Sequence, residues 1–278
     1  MKKIAIQGIA GSFHEDAAKK YFKEEEIEIV ECSSFKGVCD LIDRDQVDLA
    51  VMAIENSIAG SILQNYSLIR DYHLKIIGEI YIHIQMNLMM FPGGKKEAIQ
   101  TLYSHPIAIR QCAEYIDQNF PGITIHENLD TAASGQYISN QKLSDAAAIG
   151  NLRTAQLYDL EVVESGIESN KKNYTRFWIL SKQTGPSEKV NKASLCFEVG
   201  HYYGALAHAL QIFGAHQINL NKIQSVPIIG KPNEYTIHVD VEFDSIKNYE
   251  KAIHLLVREV SGFSILGEYI RGDINLNY

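Results

Sequence analysis

The sequence Asn-Tyr-Thr-Arg-Phe-Trp-Ile-Leu occupies residues 173–180, and the rest of the chain can be understood around it. It begins with polar and cationic residues and ends as an aromatic and β-branched run, which is typical of a strand that enters a core. A hydroxyl, Thr175, stands directly beside a fixed cation, Arg176. We therefore expect a buried strand that presents chemically active side chains where it begins.

Upstream of this stretch, short apolar runs alternate with longer segments of mixed polarity. We predict strands over 3–7, 27–30 and 48–54, helices over about 14–23 and 35–44, a further helix from Ser57 or Ser61 to about Tyr72, and strands near 75–82 and 84–91. The β-α-β-α-β order predicts a parallel α/β sheet. The run Pro92-Gly93-Gly94 marks a clear break after it.

The segment from about 95 to 170 repeats this alternation. We predict strands over 101–103, 123–125 and 146–149, and helices over about 107–119, from Asp130 to about 140 and from Asn151. The interpretation is an α/β catalytic region of residues 1–181 with two lobes and a cleft between them. The first lobe is expected at about 1–92 plus 173–181, and the second at about 93–172.

Three polar stretches follow predicted strands in these two lobes. They are Gly8–Ser12, Glu55–Ser57 and Ser104–His105. Ligands of such sheets bind outside the carboxyl ends of the strands. We therefore expect these stretches to converge with residues 173–176 on one anion-binding cleft.

The C-terminal third has a different order of elements. Residues 181–192 are polar and interrupted by Gly185 and Pro186, as in a linker. Beyond them we predict strand 193–199, helix 204–214, strands 218–228 and 234–243, helix 246–260 and strand 264–270. This β-α-β-β-α-β order is the ferredoxin-like arrangement.

Composition and charge exclude several classes of function. The net charge is −8 and the sequence has no basic stripe, which disfavours nucleic-acid binding. No run approaches the roughly 18 apolar residues of a membrane helix, and the N-terminal apolar run is too short for a signal peptide. We therefore expect a cytoplasmic protein with neither nucleic acid nor membrane as partner, in which a local cluster of cations and N–H groups holds any acidic ligand.

Cysteine and histidine spacing gives no sign of a metal site. The four cysteines are scattered without a Cys-x-x-Cys pair, and the ten histidines include no zinc-binding pair. Buried free thiols are the simpler interpretation. We expect no protein-bound metal.

The polar stretches fit two other kinds of site poorly. A dinucleotide fingerprint starting at Gly8 fails, because Ala10 and Phe13 stand where the second and third glycines are needed. Ser104 and His105 could form a nucleophile and base, but adjacent residues on a turn seldom point at each other. What remains at Ser12 is a helix N-terminus suited to a carboxylate.

Several stretches together resemble prephenate dehydratases. These are Gly8-x-x-Gly11-Ser12-Phe13 with Ala17, Ile54–Ser57 with Gly60, Ser104-His105-Pro106 with Gln111-Cys112, Thr131–Ala133, Ala148-Ile149 and Asn173-x-Thr175-Arg176-Phe177. The order matches that of the family over nearly all of 4–181, and Thr-Arg-Phe is the most specific part. Residues 193–278, with Gly204-Ala205-Leu206 and Asn219–Pro227, are similar to the ACT regulatory domain of the same enzymes.

The resemblance implies a hydro-lyase, periplasmic-binding-protein-like in fold, that converts prephenate to phenylpyruvate in phenylalanine biosynthesis without a cofactor. It implies that Arg176 binds a substrate carboxylate and that Thr175 donates a hydrogen bond to the leaving hydroxyl. Glu55 or water is expected to assist in delivering the proton. The implied catalytic residues are Thr175, Arg176, Phe177, Glu55, Asn56 and Ser12; the implied substrate-binding residues are Gly11, Ser57, Ser104 and Asn173. Phe177 is expected either against the substrate ring or in the core.

The resemblance also implies feedback control by L-phenylalanine bound between ACT domains of a homodimer or homotetramer. The implied effector-binding residues are Gly204, Ala205, Leu206, Asn219, Leu220, Gln224 and Ser225. Gln224 and Val226 replace a glutamate and an arginine of the family pattern, which puts the effector response in question. Two alternatives stay open: an arogenate dehydratase, and a non-catalytic protein that binds or senses small anions.

Overall fold

The computed structural model describes residues 1–23, 25–185 and 189–273. Part of the predicted linker, 186–188, and the end of the predicted ACT domain, 274–278, lie outside the described residues. The chain divides into two compact units. Unit 1 comprises Met1–Ile62 and Tyr81–Phe177, and unit 2 comprises Leu63–Ile80 and Trp178–Tyr278.

The strands and helices follow one another along the chain as predicted in most places. The strands are β1 (Lys2–Gln7), β2 (Ile27–Cys32), β3 (Leu49–Asn56), β4 (Gly60–Ser61), β5 (Lys75–His83), β6 (Asn87–Met90), β7 (Thr101–Ser104), β8 (Thr124–Glu127), β9 (Ala146–Gly150), β10 (Glu161–Ser165), β11 (Tyr174–Ser181), β12 (Lys192–Glu198), β13 (Asn219–Pro227), β14 (Tyr235–Glu242) and β15 (Ser261–Tyr269). The helices are α1 (Phe13–Tyr21), α2 (Phe35–Asp43), α3 (Leu63–Asp71), α4 (Pro106–Gln111), α5 (Ala113–Asn119), α6 (Thr131–Gln141), α7 (Leu152–Leu157), α8 (Ala205–Ala215) and α9 (Ile246–Glu259), with a short 3₁₀ turn at Lys96–Ala98.

The first sheet has the strand order β2-β1-β3-β11-β5, and β4 pairs with β3. Strand β1 pairs in parallel with both β2 and β3, which confirms the predicted parallel core. The centres of β1 and β3 are buried. Ser12 and Ser34 cap the two helices that follow β1 and β2, as their position before each helical run predicted. The part of unit 1 built on this sheet is called the first lobe below.

The second sheet has the order β10-β6-β9-β7-β8, and the part of unit 1 built on it is called the second lobe. Strand β7 is parallel to β8 and β9, whereas β6 is antiparallel to β9 and β10. The expected assignment of 84–91 to the first lobe is therefore wrong. All four residues of β6 are buried in the second sheet, so the chain changes lobes before residue 87, and the Pro92-Gly93 break follows that change.

Two local features of the second lobe differ from expectation. The helix expected over 107–119 is broken at Cys112, which ends α4 and precedes α5 with φ −108° and ψ 11°. Strand β10 was not predicted. It is a short edge strand with largely solvent-accessible residues, so its sequence lacks the apolar alternation that would have revealed it.

Unit 2 contains the predicted β-α-β-β-α-β arrangement, β12-α8-β13-β14-α9-β15, which is confirmed. Its sheet has the order β13-β14-β12-β15, the ferredoxin-like topology, and all its pairs are antiparallel. One face is apolar and packs with Phe213 of α8 and Leu256 of α9. Helix α3 also belongs to unit 2. Arg70 Nη1 of this helix donates to Thr236 Oγ1 of β14 at 2.8 Å.

Candidate active site

The candidate site residues of unit 1 lie at strand ends, as expected. Gly8–Ser12 follows β1, Glu55 and Asn56 are the last two residues of β3, and Ser104 is the last residue of β7. Thr175 is the second residue of β11. Glu55, Asn56 and Ser104 therefore lie at carboxyl ends of strands, whereas Thr175 lies at the start of its strand.

Asn56 is the centre of a hydrogen-bond network. Its Nδ2 donates to Thr175 Oγ1 at 3.0 Å and to Asn173 Oδ1 at 2.7 Å. Its Oδ1 accepts from the backbone N–H groups of Ile58 at 3.0 Å and Ala59 at 2.8 Å. Because two N–H groups fix the carbonyl side of this amide, its NH₂ group is directed at Thr175 and Asn173.

Gln111, the last residue of α4, joins the second lobe to this network. Asn173 Nδ2 donates to Gln111 Oε1 at 3.0 Å, and Gln111 Nε2 reaches Asn56 Oδ1 at 3.5 Å. In the sequence, Gln111 belongs to one of the stretches that resemble prephenate dehydratases, and no role was predicted for it. Its hydrogen-bond partners, Asn56 and Asn173, lie more than fifty positions away in sequence. Only the spacing of these residues in the family pattern could have suggested a role for Gln111.

Thr175 is 9% exposed, and its oxygen accepts a hydrogen bond from Asn56. An alcohol that accepts at its oxygen still has its own proton to donate. The Asn56 bond therefore directs the Thr175 hydroxyl proton away from β3.

Phe177 lies on the same side of β11 and is 1% exposed. Its ring meets the ring of His14 edge-on, with centroids 5.0 Å apart. Burial lowers the pKa of His14 to about 3, so this ring is neutral, and its Nε2 accepts from the Ala53 N–H at 3.3 Å. The packing of Phe177 supports the core interpretation over contact with a substrate ring.

Arg176 is 4% exposed in the same strand. Successive side chains of a strand point to opposite faces of the sheet. The alternation directs Arg176 to the face opposite Thr175 and Phe177. The two neighbours are thus both buried at the start of β11, but they are not displayed side by side.

The loop after β1 is already occupied by carboxylates of the chain itself. The Gly11 N–H donates to Glu15 Oε2 and the Ala10 N–H to Glu31 Oε1, both at 2.6 Å. Ser12 Oγ accepts from the Glu15 N–H at 3.4 Å as the N-cap of α1. Burial opposes ionisation of Glu15, but hydrogen bonds from Lys19 and the Gly11 N–H outweigh it and hold its pKa below the ordinary value. Ser12 and Gly11 therefore serve the helix start rather than an open anion site.

Two of the other candidate serines stabilise backbone. Ser57 Oγ accepts from the Tyr174 N–H at 2.9 Å and donates to the Lys172 carbonyl at 3.1 Å, which fixes the entry to β11. Ser104 is fully buried and donates to the Ile149 carbonyl at 2.7 Å.

His105 Nδ1 accepts from the Ile107 N–H at 3.2 Å as the N-cap of α4. Burial lowers the pKa of His105, against the attraction of Asp130. Neither Ser104 nor His105 is directed at the other in these bonds. The nucleophile–base alternative is therefore not supported.

The candidate effector residues lie in unit 2. Gly204 precedes α8 with φ +81°, a left-handed conformation that glycine adopts readily, and Ala205 and Leu206 begin the helix. Asn219, Leu220, Gln224 and Ser225 lie in β13, an edge strand of the four-stranded sheet. Gln224 Nε2 donates to the neighbouring Ser225 carbonyl at 2.9 Å. The candidate effector residues therefore lie at the start of α8, where Ala205 is buried, and on the edge strand β13.

Within the described ranges, no group of three or more His, Cys, Asp or Glu side chains is arranged to hold a metal ion. In the same part of the chain, no helix is long and apolar enough to cross a membrane. The four cysteines are free thiols.

Comparison with known proteins gives a family and several relatives. A sequence profile described as "Prephenate dehydratase" matches residues 4–185. The chain is 35% identical to arogenate dehydratase 2 of Petunia hybrida over 81% of its own length and 57% of that protein. It is 31% identical to arogenate dehydratase/prephenate dehydratase 2 of Arabidopsis thaliana, over 96% of its own length and 72% of that protein. The chain thus spans little more than half the length of the Petunia relative.

Solved structures share the fold over nearly the whole chain. A prephenate dehydratase of Staphylococcus aureus is 25% identical with a TM-score of 0.83, covering 97% of this chain and 100% of that one. A prephenate dehydratase of Arthrobacter aurescens in complex with L-Phe is 24% identical with a TM-score of 0.86, covering 97% and 90%. A protein named GqqA, described as a quorum-quenching acylase, is also 24% identical with a TM-score of 0.86, covering 97% and 98%.

Proposed function

The chain belongs to the prephenate dehydratase family, and on that premise we propose that it removes carbon dioxide and water from prephenate or from its amino analogue arogenate. Such a substrate has a ring carboxylate and a ring hydroxyl. The bond to the carboxylate breaks, its electron pair moves into the ring, and the hydroxyl leaves with a proton as water. The product ring is aromatic, which supplies the driving force.

One observation carries this proposal beyond family membership: Asn56 Nδ2 lies 3.0 Å from Thr175 Oγ1. In our interpretation, Asn56 orients the threonine hydroxyl so that its proton is donated to the leaving ring hydroxyl. Asn173 and Gln111 in turn hold the Asn56 amide. A threonine is a weak acid, so in this proposal the donated proton is replaced from water or from Glu55 as the C–O bond breaks.

The substrate carboxylates need a separate assignment. The loop after β1 has its Ala10 and Gly11 N–H groups bound to the chain's own glutamates. We therefore propose that Arg176 binds a substrate carboxylate. Its guanidinium then has to reach the cleft past the start of β11. An arginine fork binds a carboxylate with two parallel hydrogen bonds, which lysine cannot reproduce. If Arg176→Lys lowers turnover as much as is expected below for removal of the Thr175 hydroxyl, this role is supported. An unchanged kcat/KM would exclude it.

The experiment that tests the Thr175 role is turnover by Thr175→Val and Thr175→Ser. Valine keeps the shape and removes the hydroxyl, so we expect kcat to fall by about two or more decades, the range of general-acid assistance. Serine keeps the hydroxyl and is expected to retain most of the activity. Turnover by Thr175→Val within a few-fold of wild type would exclude Thr175 as the donor.

The choice between prephenate and arogenate is open because relatives carry both names. The two plant proteins above are named as arogenate or arogenate/prephenate dehydratases, and the bacterial structures as prephenate dehydratases. We propose prephenate as the preferred substrate, which is the activity that the family resemblance implies. Side-by-side kcat/KM for the two compounds decides it, and a larger value for arogenate would reverse the assignment.

We also propose that the ferredoxin-like part of unit 2 is an ACT domain that binds L-phenylalanine in a homodimer or homotetramer. The likeness of fold to the Arthrobacter aurescens protein, which was crystallised with L-Phe, supports the idea without extending that ligand to this chain. The exposed edge strand β13 can pair with a second copy. Dehydratase rate and light-scattering mass against phenylalanine concentration test both points; a flat rate response in a monomer would contradict them.

The expected domain boundaries, 1–181 for catalysis and 193–278 for regulation, remain part of this proposal. The cytoplasm remains the expected location, although several plant relatives have "chloroplastic" in their names. The acylase interpretation suggested by one structural neighbour has no support at Ser104, whose hydroxyl is buried and bound to a backbone carbonyl.

A further inference from the structure

The two lobes of unit 1 are joined in two different ways. The chain connections near 84–86 and 166–173 run side by side, with the Ile84 N–H bound to the Asn173 carbonyl at 2.7 Å and the Ile167 N–H to the Met86 carbonyl at 2.9 Å. These connections are covalent and cannot separate. In the described part of the chain, α1 and the loop before it also contact α7 and Tyr158, and side chains supply the hydrogen bonds at this second junction.

This second junction, called the α1–α7 bridge, consists of four polar contacts. Two of them position the loop after β1: Tyr158 Oη donates to the Ala10 carbonyl at 2.7 Å and Thr154 Oγ1 to the Gly11 carbonyl at 3.0 Å. The other two involve the acidic first turn of α1, with Asn151 Nδ2 donating to Asp16 Oδ2 at 2.6 Å and Arg153 Nε 3.9 Å from Glu15 Oε2.

Asn151 is well placed to hold Asp16. It is the N-cap of α7, it is 4% exposed, and its Oδ1 accepts from the Thr154 N–H at 2.8 Å. That bond fixes the carbonyl side of the Asn151 amide and leaves its NH₂ group directed at α1. The bridge therefore has a defined geometry on the second lobe, to which the Asp16 carboxyl docks.

Burial makes the ionisation of Asp16 unfavourable in the bridged state. Glu15 on the same helix repels the charge, while Lys19 of α1, Arg153 of α7 and the Asn151 amide favour it. Burial outweighs these and raises the Asp16 pKa from 3.8 to about 6. Separation of the lobes would return this carboxyl to water and to its ordinary behaviour.

We propose that the α1–α7 bridge is a proton-linked latch between the two lobes, and that Asp16 is the group that takes up the proton. The bridged form binds the proton more tightly than the separated form, so acid favours the bridged form. A protonated Asp16 still accepts the Asn151 hydrogen bond through its other oxygen. From the two ionisation constants, the ratio of bridged to separated forms rises about tenfold between pH 7 and pH 5.

The latch matters for the candidate active site because that site draws on both lobes. Thr175 and Asn56 lie on the first lobe, and Gln111 lies on the second. Opening of the bridge would move Gln111 relative to its two partners. The inference itself does not depend on the proposed reaction, since it is tested without substrate.

The test is amide hydrogen exchange of residues 152–158 in the full chain at pH 7 and pH 5, corrected for intrinsic exchange rates. Wild type is expected to show about tenfold higher protection at pH 5. Asp16→Asn imitates the protonated acid, so it should show high protection with no such rise. Asp117→Asn, an exposed aspartate on α5, is the matched control and should behave as wild type.

A second variant keeps the test decisive if Asp16→Asn does not fold. Asn151→Ser retains a residue that caps helices but is too short to reach Asp16, so protection should fall at both pH values and its pH dependence should shrink. Protection in wild type that does not change with pH would overturn the proposal. So would an Asp16→Asn protein that keeps the tenfold rise.

Discussion

At the scale of single residues, the candidate site consists of three side-chain amides and one hydroxyl in a fixed arrangement. Asn56 is fixed by two backbone N–H groups and donates to Thr175, whose proton is then directed away from β3. Gln111 and Asn173 complete the set from either side of the lobe boundary. In the proposed reaction, the Thr175 hydroxyl is thus positioned by residues that need not touch a substrate themselves.

The first prediction concerns Gln111, which we expect to act through Asn56. Gln111→Leu keeps the approximate volume and removes both hydrogen bonds, so the Asn56 and Asn173 amides lose a partner. We expect kcat to fall by about ten- to hundredfold, the effect of a small misplacement of a catalytic group, with KM changed much less. Steady-state kinetics on the substrate that the wild type prefers measures both.

Gln118→Leu is the matched control. Gln118 is exposed on α5, so this substitution makes the same chemical change away from the site. It should retain wild-type kinetics. A Gln111→Leu enzyme with an unchanged kcat would show that the second lobe does not help to orient Thr175.

The sequence could locate this site but not its internal geometry. Asn56 was identified because it follows an apolar run, Thr175 because it stands beside Arg176 at the start of a predicted strand, and Asn173 through the family resemblance. Ser12, Ser57 and Ser104 share that placement, yet their hydroxyls bind backbone groups of the chain itself. A position at a strand end does not reveal whether a hydroxyl is already used, since that depends on partners far away in sequence.

At the scale of secondary structure elements, local patterns predicted most of the fold. Alternation of apolar strands with capped helices was sufficient for β1 to β3 and for the whole ferredoxin-like part. It was not sufficient where tertiary pairing decides, as for β6, whose four buried residues suit either sheet. The alternation of side chains along β11 also separates Thr175 from Arg176, which adjacency in sequence had suggested were partners.

The second prediction concerns a buried ion pair within unit 2. Lys192 Nζ of β12 lies 2.9 Å from Glu79 Oε1 of β5, and both side chains are 3% exposed or less. Lys192→Met would leave the Glu79 charge buried without this partner, which we expect to cost about 3–5 kcal/mol of unfolding free energy. Lys192→Met with Glu79→Gln should recover most of that loss, because a glutamine oxygen can still accept from the Gly272 N–H.

Urea unfolding followed by tryptophan fluorescence is a suitable measurement, since Trp178 is the sole tryptophan and belongs to unit 2. A single mutant as stable as wild type would contradict the prediction. A double mutant no more stable than Lys192→Met would show that the unpaired Glu79 charge is not the cause of the loss.

The third prediction concerns His238 of β14 and pH. His238 is 3% exposed, and within the described part of the chain neither ring nitrogen has a hydrogen-bond partner. Burial, with repulsion from Arg70, lowers its pKa from 6.5 to about 4. Its neutral form is favoured by folding, so its contribution is fully present above pH 6.5 and is lost as pH falls toward 4.

Wild type should therefore lose about 2–3 kcal/mol more stability than His238→Leu when the pH is lowered from 7 to 4.5. The same fluorescence-monitored urea unfolding at both pH values measures this difference. His201→Leu, at an exposed position, is the control and should follow wild type. Equal acid sensitivity of wild type and His238→Leu would show that His238 is not the group responsible.

At the scale of the whole molecule, the family assignment and the fold agree while the assembly and the substrate stay proposals. The family profile covers residues 4–185, and unit 2 adds a ferredoxin-like part whose edge strand suits self-association. The number of subunits could not be predicted, because contacts between copies do not follow from the sequence pattern or the fold of one chain. Substrate preference is equally hidden, since prephenate and arogenate differ by one group.

The proposed reaction is tested by product formation by the full chain, without added metal or cofactor, from prephenate and from arogenate in separate reactions. We expect phenylpyruvate from prephenate, or phenylalanine from arogenate, at a rate that falls by about two decades or more in Thr175→Val. Absence of an aromatic product from both substrates with folded wild-type protein would contradict it.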